Sequence, residues 1–132
     1  MNPKVIADYI KQPLIQKGWV DARLADSLEP RAEVAETPLA LVLRGVNLPR
    51  GETRYDNFVG QVEQEFFGIQ IVAARDELDQ RRDELFSVLL GKNLPGRTFP
   101  VQFSEGRPLT INRATEWWLD MYFTEIDRRQ SL

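Results

Sequence analysis

Two stretches of the chain bring carboxylates close enough for acid–base work. Asp76, Glu77 and Asp79 are followed by Asp83 and Glu84, with Arg81 and Arg82 between them. On a helix, Asp79 and Asp83 share a face, and paired carboxylates can divide the roles of general acid and general base. Glu63 and Glu65, with Gln61, form a second set at strand spacing. Nothing around either set supplies a pocket. The first therefore reads as a solvated helix face with favourable acidic charge near its N-terminus, the second as the solvent side of a strand. The chain contains no His and no Cys. That excludes imidazole bases, His-based triads, thiolate nucleophiles, disulfides, zinc fingers and HExxH metal sites. The expectation is a protein with no catalytic, cofactor-binding or metal residues.

Other chemistry-bearing patterns point the same way. A phosphate cradle needs a Gly-rich turn entering a helix. Gly45…Gly51 and Gly91…Gly96 lead into extended structure or turns instead, and neither matches a nucleotide-binding motif. Arg44, Arg50 and Arg54 make residues 44–54 the most basic stretch, with Val46 and Leu48 as its apolar members. Such a stretch reads first as an exposed flexible loop; as a binding element it suits acidic groups on a partner protein better than DNA, because the chain as a whole is acidic. The densest aromatic cluster is Trp117, Trp118, Met121, Tyr122 and Phe123. On a strand, adjacent Trp residues point to opposite faces, so both faces need cover. Phe66 and Phe67 repeat the pattern. One face packs on helices; the other is left either to the core or to another subunit, with Phe66, Trp118 and Tyr122 as candidate contacts.

The elements that must position these residues follow from periodicity. Residues 3–16 form an amphipathic helix capped by Asn2, opened by Pro3 and bent or stopped early at Pro13, with Gly18 as a left-handed exit. A short strand is expected at Val20–Leu24, then a loop rich in Glu and Ala. Leu39–Leu43 reads as a strand buried on both faces, after which Gly45, Pro49 and Gly51 break regular structure. Residues 61–74 are the longest strand candidate, with Phe67, Ile69, Ile71 and Ala73 on one face and Phe66, Gln70 and Val72 on the other. Gly68 marks a bulge or a close backbone approach. The 39–46 and 61–74 strands would form a hairpin through a basic loop. A second helix starts at Asp76 with Asp79 in a capping-box-like arrangement and ends at Gly91 and Pro95. Phe99–Phe103 is a strand, Glu105–Pro108 a turn into Leu109–Ile111, and the aromatics of 114–126 favour a strand over a helix.

The order is that of an α+β domain: a mostly antiparallel sheet of about four to six strands, with an N-terminal and a central helix packed on one face. At 132 residues and 42% hydrophobic content a single domain spanning 1–132 is expected. The 17 Lys+Arg against 20 Asp+Glu give a net charge of −3. No run approaches a membrane span or a signal-peptide core, so a soluble protein made in a cytoplasm is expected.

This layout resembles the tail terminators, or tail-completion proteins, of long-tailed phages. The likeness runs over nearly the whole chain. It rests on Val5-Ile6-Ala7-Asp8-Tyr9-Ile10, Leu43-Arg44-Gly45, the loop with Arg50 and Arg54, the strand Phe66–Ala74, the helix Asp83–Gly91 and the terminal strand Trp117–Thr124. The resemblance implies structural work. Such proteins form a ring, typically a hexamer, on the head-proximal end of the tail tube, stop tube polymerisation and present the surface that joins the head. It implies a virion location, assembly in the host cytoplasm, and as partners further copies of itself, the tube protein and a neck or head-completion protein. DNA would only pass through a channel, and no membrane is involved. No cofactor or catalytic residue is carried over. The interface residues would be Arg44, Val46, Leu48, Arg50, Arg54, Phe66, Trp118 and Tyr122. A neck or head-completion connector shares the size and symmetry and stands as the alternative, followed by a small α+β enzyme or a secretion-tube adaptor.

Overall fold

The chain begins as its capping residues dictate. The Asn2 side chain accepts a hydrogen bond from the Lys4 N–H at 3.0 Å, and helix α1 runs Pro3–Gln16. It passes through Pro13 instead of stopping there. That proline lacks a single bond, to the Tyr9 carbonyl, so close to the helix end that the last turn survives. Gly18 then exits with φ +92°. The computed structural model describes residues 2–25, 37–55, 58–111 and 115–131, and of 50–55, 58–61, 110–111 and 127–131 the backbone only. The Glu- and Ala-rich loop expected after Leu24 lies mainly outside the described residues.

Five strands follow: β1 (Asp21–Leu24), β2 (Leu39–Tyr55), β3 (Phe58–Ala74), β4 (Gln102–Ile111) and β5 (Thr115–Ser131). Between β3 and β4 stand a short 3-10 turn, Arg75–Glu77, and helix α2, Leu78–Leu89. The sheet order is β1-β2-β3-β5-β4. Only β1 runs parallel to its neighbour β2; the other pairs are antiparallel. This is an α+β fold. No described helix is long and apolar enough to cross a membrane.

Four expectations need correction. The strand expected at Phe99–Phe103 begins only at Gln102, Val101 making no more than an isolated bridge to Leu90. Gly45, Pro49 and Gly51 do not end β2; the strand continues to Tyr55 and absorbs them as register shifts between Arg44 and Asn47 and between Pro49 and Gly51. The hairpin with β3 is therefore longer than expected. Glu105–Pro108 is likewise not a turn. It lies inside β4, which pairs with β5 through shifts at Phe103/Glu105 and Pro108/Thr110. Nor does a side-chain cap open α2: its N-cap is Glu77, without a side-chain hydrogen bond, because the preceding 3-10 turn already carries the chain into the helix.

Both helices pack on one side of the sheet. Ile6, Ile10 and Leu14 of α1 and Leu78, Leu85 and Leu89 of α2 meet Ala40, Val42, Phe67, Ile69, Ile71 and Tyr122 in the main core. Alternation puts Leu39, Leu41, Leu43, Phe66, Gly68, Gln70 and Val72 on the opposite side, together with Trp117, Leu119, Met121 and Phe123. Among the described residues no helix covers that side. Leu39, Val72 and Trp117 form a small second core there.

Candidate interaction surface

Of the acidic residues close enough for acid–base work, Glu77, Glu84 and Glu65 are placed as structural ties. Arg81 of α2 bridges Glu77 at 3.3 Å and Glu84 at 2.9 Å. Glu84 Oε1 also accepts the Trp19 indole N–H at 3.0 Å, and Arg81 reaches the Lys17 carbonyl. These bonds join α2 to the end of α1. Burial alone would raise the Glu84 pKa, but the hydrogen bonds from Arg81 and Trp19, with the Arg81 charge, outweigh it and hold the carboxyl below its ordinary value. A carboxyl lowered in the folded state contributes stability that is full above the unfolded-state pKa and is lost as pH falls through the folded value. Glu84→Gln is therefore expected to be less stable than wild type near neutral pH. The gap should close as unfolding is followed from about pH 6 to about pH 3.

Glu65 does not face solvent. It continues the odd-numbered series of Phe67 and Ile69 on the helix side and is 4% exposed, paired with Arg97 at 2.7 Å. That bond, with the Thr124 hydroxyl donating to the Phe99 carbonyl at 3.1 Å, fastens the α2–β4 connection to the sheet.

Among the described residues the most buried charge is Asp120 of β5, at 0% exposure. Arg82 Nη2 donates to its Oδ1 at 3.0 Å and Arg82 Nε to its Oδ2 at 3.2 Å. The Trp118 indole N–H donates to Oδ1 at 2.8 Å, and the Arg82 guanidinium lies 4.6 Å from the Trp118 ring centre. Gly106 of β4 makes room for this cluster: a Cβ there would stand 2.5 Å from Asp120 Oδ1. With three donors on it, two of them from Arg82 of α2, Asp120 ties α2 to the sheet.

Trp118 and Tyr122 share this helix side, so neither lies on the uncovered face. Tyr122 is fully buried and stacks on Phe67, with Phe86 and Phe103 edge-on to it. Its hydroxyl lies close to Asp120 but makes no hydrogen bond of good geometry among the described residues. Burial, followed by the negative charge of Asp120, pushes its pKa far up, so it stays neutral. Because an unmade buried hydrogen bond is destabilising, Tyr122→Phe is expected to gain about 1 kcal/mol in urea unfolding. A loss of similar size would mean that Asp120 or water bonds the hydroxyl.

The other side of the sheet gathers three of the sequence candidates. Val46, Leu48 and Phe66 line one groove of about 230 Å³ with Met121, Ser104 and Glu105. Val46 is 63% and Leu48 46% exposed, while Phe66 packs on Phe123 with ring centres 5.2 Å apart. A β-bulge creates this grouping. Before it, Ala40, Val42 and Arg44 pair with helix-side residues of β3; after it, Asn47 does. The extra residue inverts the alternation, so Val46 and Leu48 join Leu39, Leu41 and Leu43 on the uncovered side. Gly45 permits it, since a Cβ there would come within 2.7 Å of the Phe66 carbonyl oxygen. Arg44 is exposed on the helix side of β2, next to the bulge. Arg50 and Arg54 follow on the β2 backbone, and their side chains lie outside the described residues. Sequence reasoning missed Ser104 and Glu105, which it placed at or beside a turn, and grouped Met121 with the aromatic cluster instead. The strict alternation Trp117, Leu119, Met121, Phe123 was the signal that places Met121 on this face.

Comparison of the chain with models of known protein families and with curated protein sequences finds no match.

Proposed function

We propose that the chain is a structural virion protein: a ring-forming subunit at the head-proximal end of a phage tail tube, which stops tube polymerisation and offers the surface that joins the head. The observation that carries this reading is the uncovered sheet face, where Val46, Leu48, Phe66 and Met121 line one groove. Contiguous exposed apolar surface on a small domain is a contact surface or an aggregation hazard. In a ring each subunit presents one surface and accepts a different one, so the groove of one copy meets another part of its neighbour. In this reading Arg44, Arg50 and Arg54 meet acidic groups on the tube or neck protein. The resemblance of the layout to tail terminators supports putting the ring in the virion.

Light scattering on the purified protein tests the ring. Wild type is expected as a closed oligomer, and Val46→Glu with Leu48→Glu should weaken association about a hundredfold while leaving far-UV circular dichroism unchanged. A wild-type protein that is monomeric alone and stays so when mixed with tube protein would sink the proposal. Replacing Arg44, Arg50 and Arg54 by Ala should lower tail joining in a complementation assay, and normal joining removes that role.

A further inference from the structure

We infer that a second surface, the groove between α1 and α2, binds an acidic amphipathic segment of a partner protein. The inference is independent of the proposed function, and the groove lies on the opposite side of the sheet from the Val46 face. It has a volume of about 430 Å³ and is lined by Tyr9, Pro13, Lys17, Ser87, Val88 and Lys92. The floor is apolar: Tyr9 and Pro13 from α1, Val88 from the last turn of α2. The rim is cationic. Lys17 caps the end of α1, Lys92 follows the end of α2, and both are exposed. Neither has a carboxylate within ion-pair distance among the described residues.

The net charge of the chain is −3, yet the lining holds two cations and no acid. Lysines near helix C-termini also complement the helix dipoles, but that role needs no apolar floor between them. The groove is as large as many ligand clefts. It opens to solvent, and so suits a chain segment laid across it better than an enclosed small molecule. A helix or turn with an apolar stripe would cover Tyr9, Pro13 and Val88 and bring flanking carboxylates to Lys17 and Lys92. The apolar floor favours such a segment over a nucleic-acid backbone, which would leave it wet.

The test is fluorescence polarisation with a labelled synthetic peptide carrying Leu at i, i+3, i+4 and i+7 and Glu on the flanks of that stripe. Two control peptides are a scramble of the same composition and a version with Gln for Glu. Saturable binding is expected, with each control weaker by about tenfold. Lys17→Ala and Lys92→Ala should each weaken binding about threefold to fivefold, with the melting temperature lowered by no more than about 3 °C. Pro13→Glu puts a charge into the floor while replacing a helix-interior proline by a good helix former. It should weaken binding about tenfold with stability kept or raised. Equal binding of the design and its scramble, or indifference to both lysines, overturns the inference. So does a short DNA duplex that binds as tightly with the same lysine dependence.

Discussion

Asp120→Ala is expected to destabilise the fold by about 3 kcal/mol, lowering the melting temperature by roughly 10 °C. The substitution removes the acceptor of three donors at once, four hydrogen bonds in all. It leaves the Arg82 side chain, 22% exposed, without its counter-charge, and strands the Trp118 N–H against the sheet. Breaking one partner of a buried pair is the costly operation; the partial exposure of Arg82 lets water take some of the charge, which keeps the loss at the lower end of that range. Asp120→Asn retains an acceptor for Trp118 and should lose less. Replacing the pair together, by Arg82→Met with Asp120→Leu, removes both charges and should recover part of the single-mutant loss. Urea unfolding of the three variants checks the ranking. An Asp120→Ala protein as stable as wild type would show that the cluster does not fasten α2 to β5.

Gly45→Ala is the second large effect. An added Cβ would meet backbone, with the Phe66 carbonyl oxygen at 2.7 Å and its carbon at 2.8 Å, and backbone within a paired strand cannot step aside. A loss of about 2 kcal/mol is expected, together with disruption of the bulge that turns Val46 and Leu48 outward. Gly68→Ala is the comparison. Its Cβ would stand 3.0 Å from Leu119 Cδ1 and Met121 Sδ and 3.1 Å from Leu43 Cδ1. Those are ends of flexible side chains that can give way, so the loss should be smaller. Amide exchange at Asn47 and Leu48 separates the two, rising in Gly45→Ala and not in Gly68→Ala.

Much of the frame was legible because it rests on local rules. Asn2 with Pro3 marks α1, Gly18 its exit, and the alternation of Phe67, Ile69, Ile71 and Ala73 the inner face of β3. The aromatic run 117–123 resolved as a strand, in line with β-propensity. What failed did so for identifiable reasons. Gly and Pro in 45–51 and 105–108 were read as breakers, but a long strand held by a neighbour can absorb them as bulges. Glu65 was assigned to solvent although its parity is that of Phe67; a lone acid on a buried face becomes intelligible only once Arg97, 32 residues away, is seen to reach it. Arg82 and Asp120 are 38 residues apart, and no spacing rule links them. For the groove, Val46, Leu48 and Phe66 were legible as candidates, but their convergence with Met121 depends on the inverted alternation at Gly45. A single extra residue decides it.

The position of β5 in the chain also sets an order of events. β3 pairs with β2 through a hairpin that closes locally, Tyr55 opposite Phe58, so this ribbon can form as soon as residue 74 has been made. Its other edge must wait for a strand that begins at Thr115 and ends at Ser131, opposite Phe58. Closure of that gap is non-local and slow relative to hairpin formation. Throughout synthesis of α2 and β4, the free edge of β3 and the apolar row Phe66 to Val72 stand open, the kind of surface on which nascent chains misassociate. The C-terminal strand is therefore the latch of the folding reaction, and truncations that shorten it should show first as insoluble protein during expression.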